Sequence, residues 1–328
     1  MVADLSESQR RDWEILRKRI LVLNERAWDS RLNWPIVEQW LGNFDGTSSI
    51  EIPTERLHAL YLLSQMMYFG GKEIRVLLRA LYSELVYIPI VQKARKDLGG
   101  SREKHNIEAA VSNELKTTRF LGVGNPSESG VHLLYYFRQE NRIPKDFFLD
   151  SARIFSRESV DGEIRTVLAE KDVRRYIFID DLCGSGETAE KYSKDLLPRI
   201  LELNPVAEIY YFSLFATTSG MTRVRTQSLF GKNCGSVFEL DESYKCLTDE
   251  SRYFSAMPAS LDREILRKIN NHYGNKVCPG NGNGFEDGQL LLAFSHNTPD
   301  NTLPIIWRDL ENGSPVSWYS ALKRYAKF

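Results

Sequence analysis

The sequence predicts an α/β protein: a parallel sheet covered by helices, preceded by a helical module. Three observations carry this expectation. Residues 1 to about 115 repeat their apolar residues at helical spacings of three and four. Beyond them, short β-branched and aromatic runs alternate with helical patterns. In mid-chain, residues 175–189 (RYIFIDDLCGSGETA) join a buried-type strand to a helix through a loop of small residues.

A chain of 328 residues fits one large domain or two ordinary ones, and the change of pattern divides it into 1–115 and 116–328. A net charge of −1 gives no global electrostatic reason to bind nucleic acid or a membrane surface. Cys183, Cys234, Cys246 and Cys278 show neither CxxC pairing nor metal-ligand spacing, and read as reduced thiols. Residues 1–30 are too charged for a signal peptide, and the apolar stretch 57–71 is too short for a bilayer span. The expected location is the cytoplasm.

In the N-terminal part, Trp13, Leu16, Ile20, Leu23 and Ala27 line one face of a first helix. Pro35 suits the first turn of a second, which carries Val37, Trp40 and Leu41 and ends at Gly42. A third starts at Pro53-Thr54 and closes at Gly70-Gly71, and a fourth runs from Lys72 to about Tyr87. Lys93, Arg95, Lys96 and Arg102 concentrate positive charge, read as a solvated face or, alternatively, a nucleic-acid contact. Phe120, Leu121 and Val123 form a strand, followed by a turn-rich loop and a helix over 131–140. Residues 147–155 supply a further strand, and 156–174 are charged with no core face of any length.

The mid-chain run Tyr176–Ile179 ends on two carboxylates, Asp180 and Asp181, before Gly184, Ser185, Gly186, Glu187 and Thr188. A helix N-terminus offers unpaired N–H groups and a positive dipole end to a phosphate. Glycines allow close backbone approach, and carboxylates at the strand end accept hydrogen bonds from sugar hydroxyls. The combination reads as a ribose phosphate site. Downstream come a strand over 208–216 with Thr217–Gly220 at its end, a strand over 236–240 and a helix over 258–273. A glycine- and asparagine-rich loop follows at 278–288, then an apolar run at 290–294. In the polar segment 295–304, His296, Asn297 and Asn301 are placed to read a base edge, with Trp307 to stack on it. The competing reading makes His296 a cap and Trp307 part of the core.

The motif Asp180-Asp181-Leu182-Cys183-Gly184-Ser185-Gly186-Glu187-Thr188 resembles the 5-phosphoribosyl diphosphate (PRPP) signature of the type I phosphoribosyltransferases. Ser185 stands where that family usually has Thr, and Glu187 where it usually has a small neutral residue. The resemblance implies a Rossmann-like sheet of the type I phosphoribosyltransferase kind, with Asp180 and Asp181 as candidate catalytic carboxylates and Mg²⁺ ligands. It implies a 5-phosphate held at 184–188 and, by position rather than by motif, a diphosphate loop at 124–130, with Gly124, Asn125, Ser127, Ser129 and Gly130 as candidates; the alternative there is an ordinary capped turn. It also implies a catalytic hood in 156–174, with Arg153 just before it and Arg157, Arg165 and Lys171 within it as candidates to neutralise the leaving group; the alternative for this segment is a solvated hairpin without catalytic role. The helical start and the tail HNTPDNTLPIIW resemble phosphoribosyltransferase-like proteins of bacterial anti-phage systems, some encoded beside retron reverse transcriptases. That likeness implies an effector role. Three functions stay open: transfer or cleavage at ribose C1 of PRPP or a nucleotide, a non-catalytic nucleotide sensor, and a scaffold binding protein or nucleic acid.

Overall fold

The computed structural model describes residues 4–124, 129–160, 162–310 and 316–325. In chain order the first elements are α1 (Glu7–Arg26), α2 (Trp34–Leu41), α3 (Ile52–Ser64), β1 (Met67–Phe69) and α4 (Gly71–Ala80). A π-helical stretch at Leu81–Tyr87 leads into α5 (Ile88–Asp97) and α6 (Lys104–Lys116). Then come β2 (Thr118–Gly122), α7 (Ser129–Asn141), β3 (Phe155–Val160), β4 (Glu163–Leu168), β5 (Arg175–Cys183) and α8 (Glu187–Leu203). The remainder is β6 (Glu208–Thr217), α9 (Thr218–Gln227), β7 (Cys234–Leu240), α10 (Arg263–Val277), β8 (Leu292–Phe294) and α11 (Pro304–Trp307). No helix among the described residues is long and apolar enough to cross a membrane.

Two compact units result, one of Arg75–Leu240 and one of Met1–Ile74 with Asp241–Phe328. These units do not follow the expected division at 115/116. The helical pattern of the N-terminal part is real, but contacts rather than composition divide the chain, and the boundary falls inside α4.

Within 75–240, β2, β5, β6 and β7 form a sheet in that order, parallel throughout. Tyr176, Ile177, Phe178 and Ile179 are all buried, because both faces of the sheet are covered. On one face Tyr176 and Phe178 join Leu121, Tyr211, Leu197, Ile200 and Val224, so α8 and α9 lie on it. On the other, Phe120 packs with Phe137 and Tyr82, from α7 and the π-helical stretch. Phe148 adds a single parallel bridge to Phe120 on the far side of β2. The chain therefore starts the sheet at β2, steps outward to Phe148 and crosses back to β5. That reversal makes a topological switch point between β2 and β5, where open α/β sheets bind ligands.

Two expectations change here, and in the charged segment a hairpin, one of the two alternatives, is what forms. The strand expected over 147–155 is reduced to the Phe148 bridge between 3₁₀ turns at Lys145–Phe147 and Ser151–Arg153, where the Asp150 side chain accepts from the Ala152 amide. The charged segment after it is ordered as the antiparallel hairpin β3–β4, whose exposed residues include Ile164, 76% accessible. The fourth helix does not stop near Tyr87 but continues through the π-helical stretch into α5, which carries Pro89 in its first turn; the Ile88 amide before it donates to the Ser83 carbonyl, five residues back, as in a π-turn.

The other unit is mainly helical, and its core is aromatic. Trp40, Phe44, Tyr273 and Trp318 meet edge to face or tilted, with Phe44 5.1–5.5 Å from its three neighbours. Both Trp40 Nε1 and Trp318 Nε1 donate to the Ile305 carbonyl, at 2.7 and 3.1 Å. The fully buried Glu55 carboxylate accepts from Tyr273 Oη, Ser48 Oγ and the Gly46 amide. A buried carboxylate surrounded by donors is tolerated where an unpaired one is not. The strand β1, unforeseen in the sequence, pairs in parallel with β8. Three residues between two helices are too few to show alternation.

Candidate functional site

The parallel register Gly122↔Ile179 brings the carboxyl ends of β2 and β5 to the same edge of the sheet. Val123 continues the ladder, its amide donating to the Ile179 carbonyl at 3.1 Å, and Gly124 then turns the chain at φ +92°. Of the expected diphosphate loop, Asn125 and Ser127 lie outside the described residues, and Ser129 and Gly130 begin α7.

At the end of β5 the side-chain alternation slips. Phe178 and Cys183 are five apart yet share one core cluster, as do Tyr211 and Ala216 on the paired strand. A strict period of two would put each pair on opposite faces. The slip spans Asp180 and Asp181. Asp180 Oδ1 accepts from the Asp181 amide at 3.0 Å, and Oδ2 accepts from Tyr211 Oη at 3.0 Å. Asp181 Oδ1 accepts from the Leu182 amide at 2.8 Å. Burial of its carboxyl first, and the neighbouring Asp181 charge second, raise the Asp180 pKa well above the ordinary value, against the hydrogen bond from Tyr211. Burial likewise pushes the Cys183 thiol up to about 12, so it stays protonated and unreactive.

The loop that follows is packed backbone to backbone. Gly186 caps α8 at φ +76°, and a Cβ there would meet the Gly220 carbonyl oxygen at 2.5 Å. A Cβ on Gly220 would meet the Gly184 oxygen at 2.1 Å. Thr217 Oγ1 donates to that same Gly184 oxygen at 2.5 Å and accepts from the Gly220 amide at 2.9 Å. The start of α9 thus clamps the loop at the start of α8. Ser185 Oγ accepts from the Glu187 amide at 3.3 Å, while the Thr188 and Ala189 amides make no hydrogen bond among the described residues. Glu187 pairs with Lys191 one turn on, and Glu190 with Lys194 and Arg223. The first-turn carboxylates that would repel an anion are thereby neutralised. Lys191 and then Arg223 hold the Glu187 carboxyl below its usual pKa.

The structure therefore brings Asp180, Asp181, Gly184, Ser185, Gly186, Glu187 and Thr188 together at one strand end. It adds three residues the sequence had not marked as functional: Tyr211, which bonds Asp180; Gly220, against which the loop packs; and Arg223. Thr217–Gly220 at a strand end was the only signal for them.

The hood candidates differ among themselves. Arg165 pairs with Glu163 and Lys171 with Glu158, whereas Arg153 and Arg157 are exposed and make no ion pair among the described residues. His296, Asn297 and Trp307 belong to the other compact unit. Trp307 is buried there and its Nε1 donates to the Thr302 carbonyl at 2.8 Å. The Asn297 side chain accepts from the amides of Thr298 and Tyr325, both at 3.0 Å, and Asn301 Nδ2 donates to the Phe285 carbonyl. Among the described residues no group of three or more His, Cys, Asp or Glu side chains is placed to hold a metal ion.

A family model described as PRTase-CE matches residues 37–324. No curated protein sequence matches the chain significantly. Solved structures similar to it include the xanthine-guanine-hypoxanthine phosphoribosyltransferase of Helicobacter pylori, at 10% identity over 53% of this chain and 83% of that one, with a TM-score of 0.26. Another is a single-residue variant of the Trypanosoma cruzi hypoxanthine phosphoribosyltransferase with its product IMP, at 12% identity over 55% and 78%, TM-score 0.26.

Proposed function

The chain belongs to the PRTase-CE family, and from that premise we propose that it binds a phosphoribosyl ligand, PRPP or a nucleotide, at 180–188 and transfers or cleaves at ribose C1. The observation that carries this reading is the adjacency of two carboxylates to a clamped helix N-terminus at the switch point of a parallel sheet. A pocket for phosphate alone gains nothing from carboxylates, because at about 4 Å and an effective dielectric near 20 each repels a unit negative charge by roughly 4 kcal/mol. They make sense facing sugar hydroxyls.

In this reading the amides of Thr188 and Ala189, with the Ser185 hydroxyl, hold the 5-phosphate. Asp181 orients the ribose hydroxyls and stabilises positive charge developing on the ring. Asp180, fixed by Tyr211, holds Asp181 through the Asp181 amide. Gly124 and the segment after it receive the diphosphate. The donor set suits Mg²⁺ only in part: two hard carboxylates are present, Asp180 already committed to Tyr211, so ligand oxygens would complete the coordination. When bound, the ion would offset charge on the departing diphosphate.

A second reading is a nucleotide sensor without turnover, favoured by Arg165 and Lys171 being held by carboxylates of their own segment. We further propose an anti-phage setting, as effector or as partner-binding subunit, on the likeness of the tail. Calorimetry with PRPP and AMP, with and without Mg²⁺, tests the binding. Release of diphosphate or free base separates the enzyme from the sensor. Absence of saturable binding by either ligand would overturn both readings.

A further inference from the structure

Of the cations that the sequence concentrates between 93 and 102, Lys93 is taken up by Asp97 and Glu114, at 3.1 and 2.9 Å. Arg95 and Arg102 instead line a groove of about 500 Å³ between α5 and α6, are exposed, and make no ion pair among the described residues. Tyr87, at the end of the π-helical stretch, Val91 and Arg95 recur every fourth residue, one position past the buried Val86, Ile90 and Ala94. The helix thus gives one stripe to its own core and the next to the groove. From α6, Ile107 and Val111 supply the opposite wall. Val111 is buried and Val91 and Ile107 are half-buried, so the floor is aliphatic and the cations form the rim.

The rim is positive in sum. Lys104 is matched by Glu108 at 3.6 Å, which leaves the charges of Arg95 and Arg102. Lys96 and Glu103, the charged sequence neighbours of the lining, are both exposed and cancel. An open groove of this kind would leave a small ligand largely in water. Aliphatic side chains offer no face on which bases stack, and Tyr87 is the aromatic residue of the described lining. A flat membrane surface would leave the recessed Val111 uncovered. The stripe from Tyr87 to Arg95 runs about 12 Å at 1.5 Å per residue, the length over which a helix sets apolar anchors at i, i+3, i+4 and i+7. We propose that this groove docks an acidic amphipathic helix of a partner protein, with its apolar stripe on Val91, Ile107 and Val111 and its carboxylates on Arg95 and Arg102. The proposal does not depend on the phosphoribosyl reading of 180–188.

The test is fluorescence anisotropy on the full chain with a labelled peptide of about five helical turns, Leu at i, i+3, i+4 and i+7 and Glu at most other positions. Its counterpart with Lys for Glu and labelled oligothymidylate are read in the same way, and phosphatidylglycerol vesicles by co-sedimentation. The acidic peptide should bind saturably and more tightly than the other three probes. Arg95→Glu with Arg102→Glu, both at exposed positions, should weaken it by about tenfold or more and turn the preference to the Lys peptide. Ile107→Ser should weaken the acidic peptide by a few-fold without turning that preference, and circular dichroism checks that each variant is folded. No saturable binding of the acidic peptide would overturn the proposal. So would an affinity unchanged in the folded double-Glu variant, or equal binding of the Lys peptide by the parent. Oligothymidylate or vesicles bound more tightly than the peptide, and lost in the double-Glu variant, would overturn the class of partner.

Discussion

At the scale of the residue, Asp180 is where stability and ligand binding pull apart. Its pKa is raised in the folded protein, so the fold holds that proton more tightly than the unfolded chain does. Between the unfolded value of about 3.9 and the raised folded value, stability falls as pH rises. Asp180→Asn is therefore expected to raise Tm at pH 7, and the gain should vanish near pH 3, where the parent is protonated in both states. Thermal melts at the two pH values check this; an equal gain at both would show that charge is not the cause. Tyr211→Phe removes a hydrogen bond that lowers this pKa, so the Asp180 titration should move further up, as read by carboxyl NMR. The double change Asp180→Asn and Asp181→Asn should weaken PRPP and nucleotide binding while sparing inorganic phosphate. If the folded double variant binds PRPP as tightly as the parent, the ribose role is wrong.

At the scale of the element, the start of α8 depends on Gly186 twice: its left-handed φ costs any other residue about 1–2 kcal/mol, and a Cβ would strike the Gly220 backbone at 2.5 Å. Gly186→Ala should therefore destabilise by more than the conformational term alone, with Gly220→Ala similar, since each disturbs the same α8–α9 contact. Denaturant midpoints of the two variants and their double measure that coupling. In the mainly helical unit, His58 joins α3 to the start of α10: Nδ1 faces the Thr54 carbonyl at 2.7 Å and Nε2 accepts from the Asp262 amide at 3.0 Å. That arrangement requires neutral imidazole, and burial lowers the His58 pKa. The unfolded chain then binds the extra proton first, so stability should fall as pH drops below about 6.5. His58→Gln, which does not titrate, should flatten that slope between pH 5 and 6.5.

At the scale of the whole molecule, the sheet unit is one continuous stretch, 75–240, whereas the other unit needs both ends of the chain. All six tryptophans, Trp13, Trp28, Trp34, Trp40, Trp307 and Trp318, fall in the discontinuous unit, so tryptophan emission reports that unit. Ending the chain after Leu240 removes Tyr273, Ile305 and Trp318, which pack on or accept from Trp40 and Phe44. The truncated chain should show red-shifted tryptophan emission. The far-ultraviolet signal of the sheet unit and any ligand binding at 180–188 should persist, because its core is drawn from its own stretch. Unshifted emission would mean that residues 1–74 hold a core unaided.

The sequence by itself determined the pieces whose causes are local. The apolar run Tyr176–Ile179, the acidic pair and the glycines of 184–186 announce strand, carboxylates and helix start because strand burial, charge and positive φ are properties of adjacent residues. The helices of residues 1–115 were legible for the same reason, through their spacing. What only the tertiary structure decided is which distant pieces meet. Tyr211 reaches Asp180 from the next strand, and Gly220 touches Gly184 across 36 positions, through contacts that no local pattern encodes. The division of the chain is of the same kind: the aromatic residues near Trp40 are completed by Tyr273 and Trp318, more than 200 residues away. Burial of those rings is favourable only when both segments are present. Hence the chain is partitioned by its contacts and not at its change of composition.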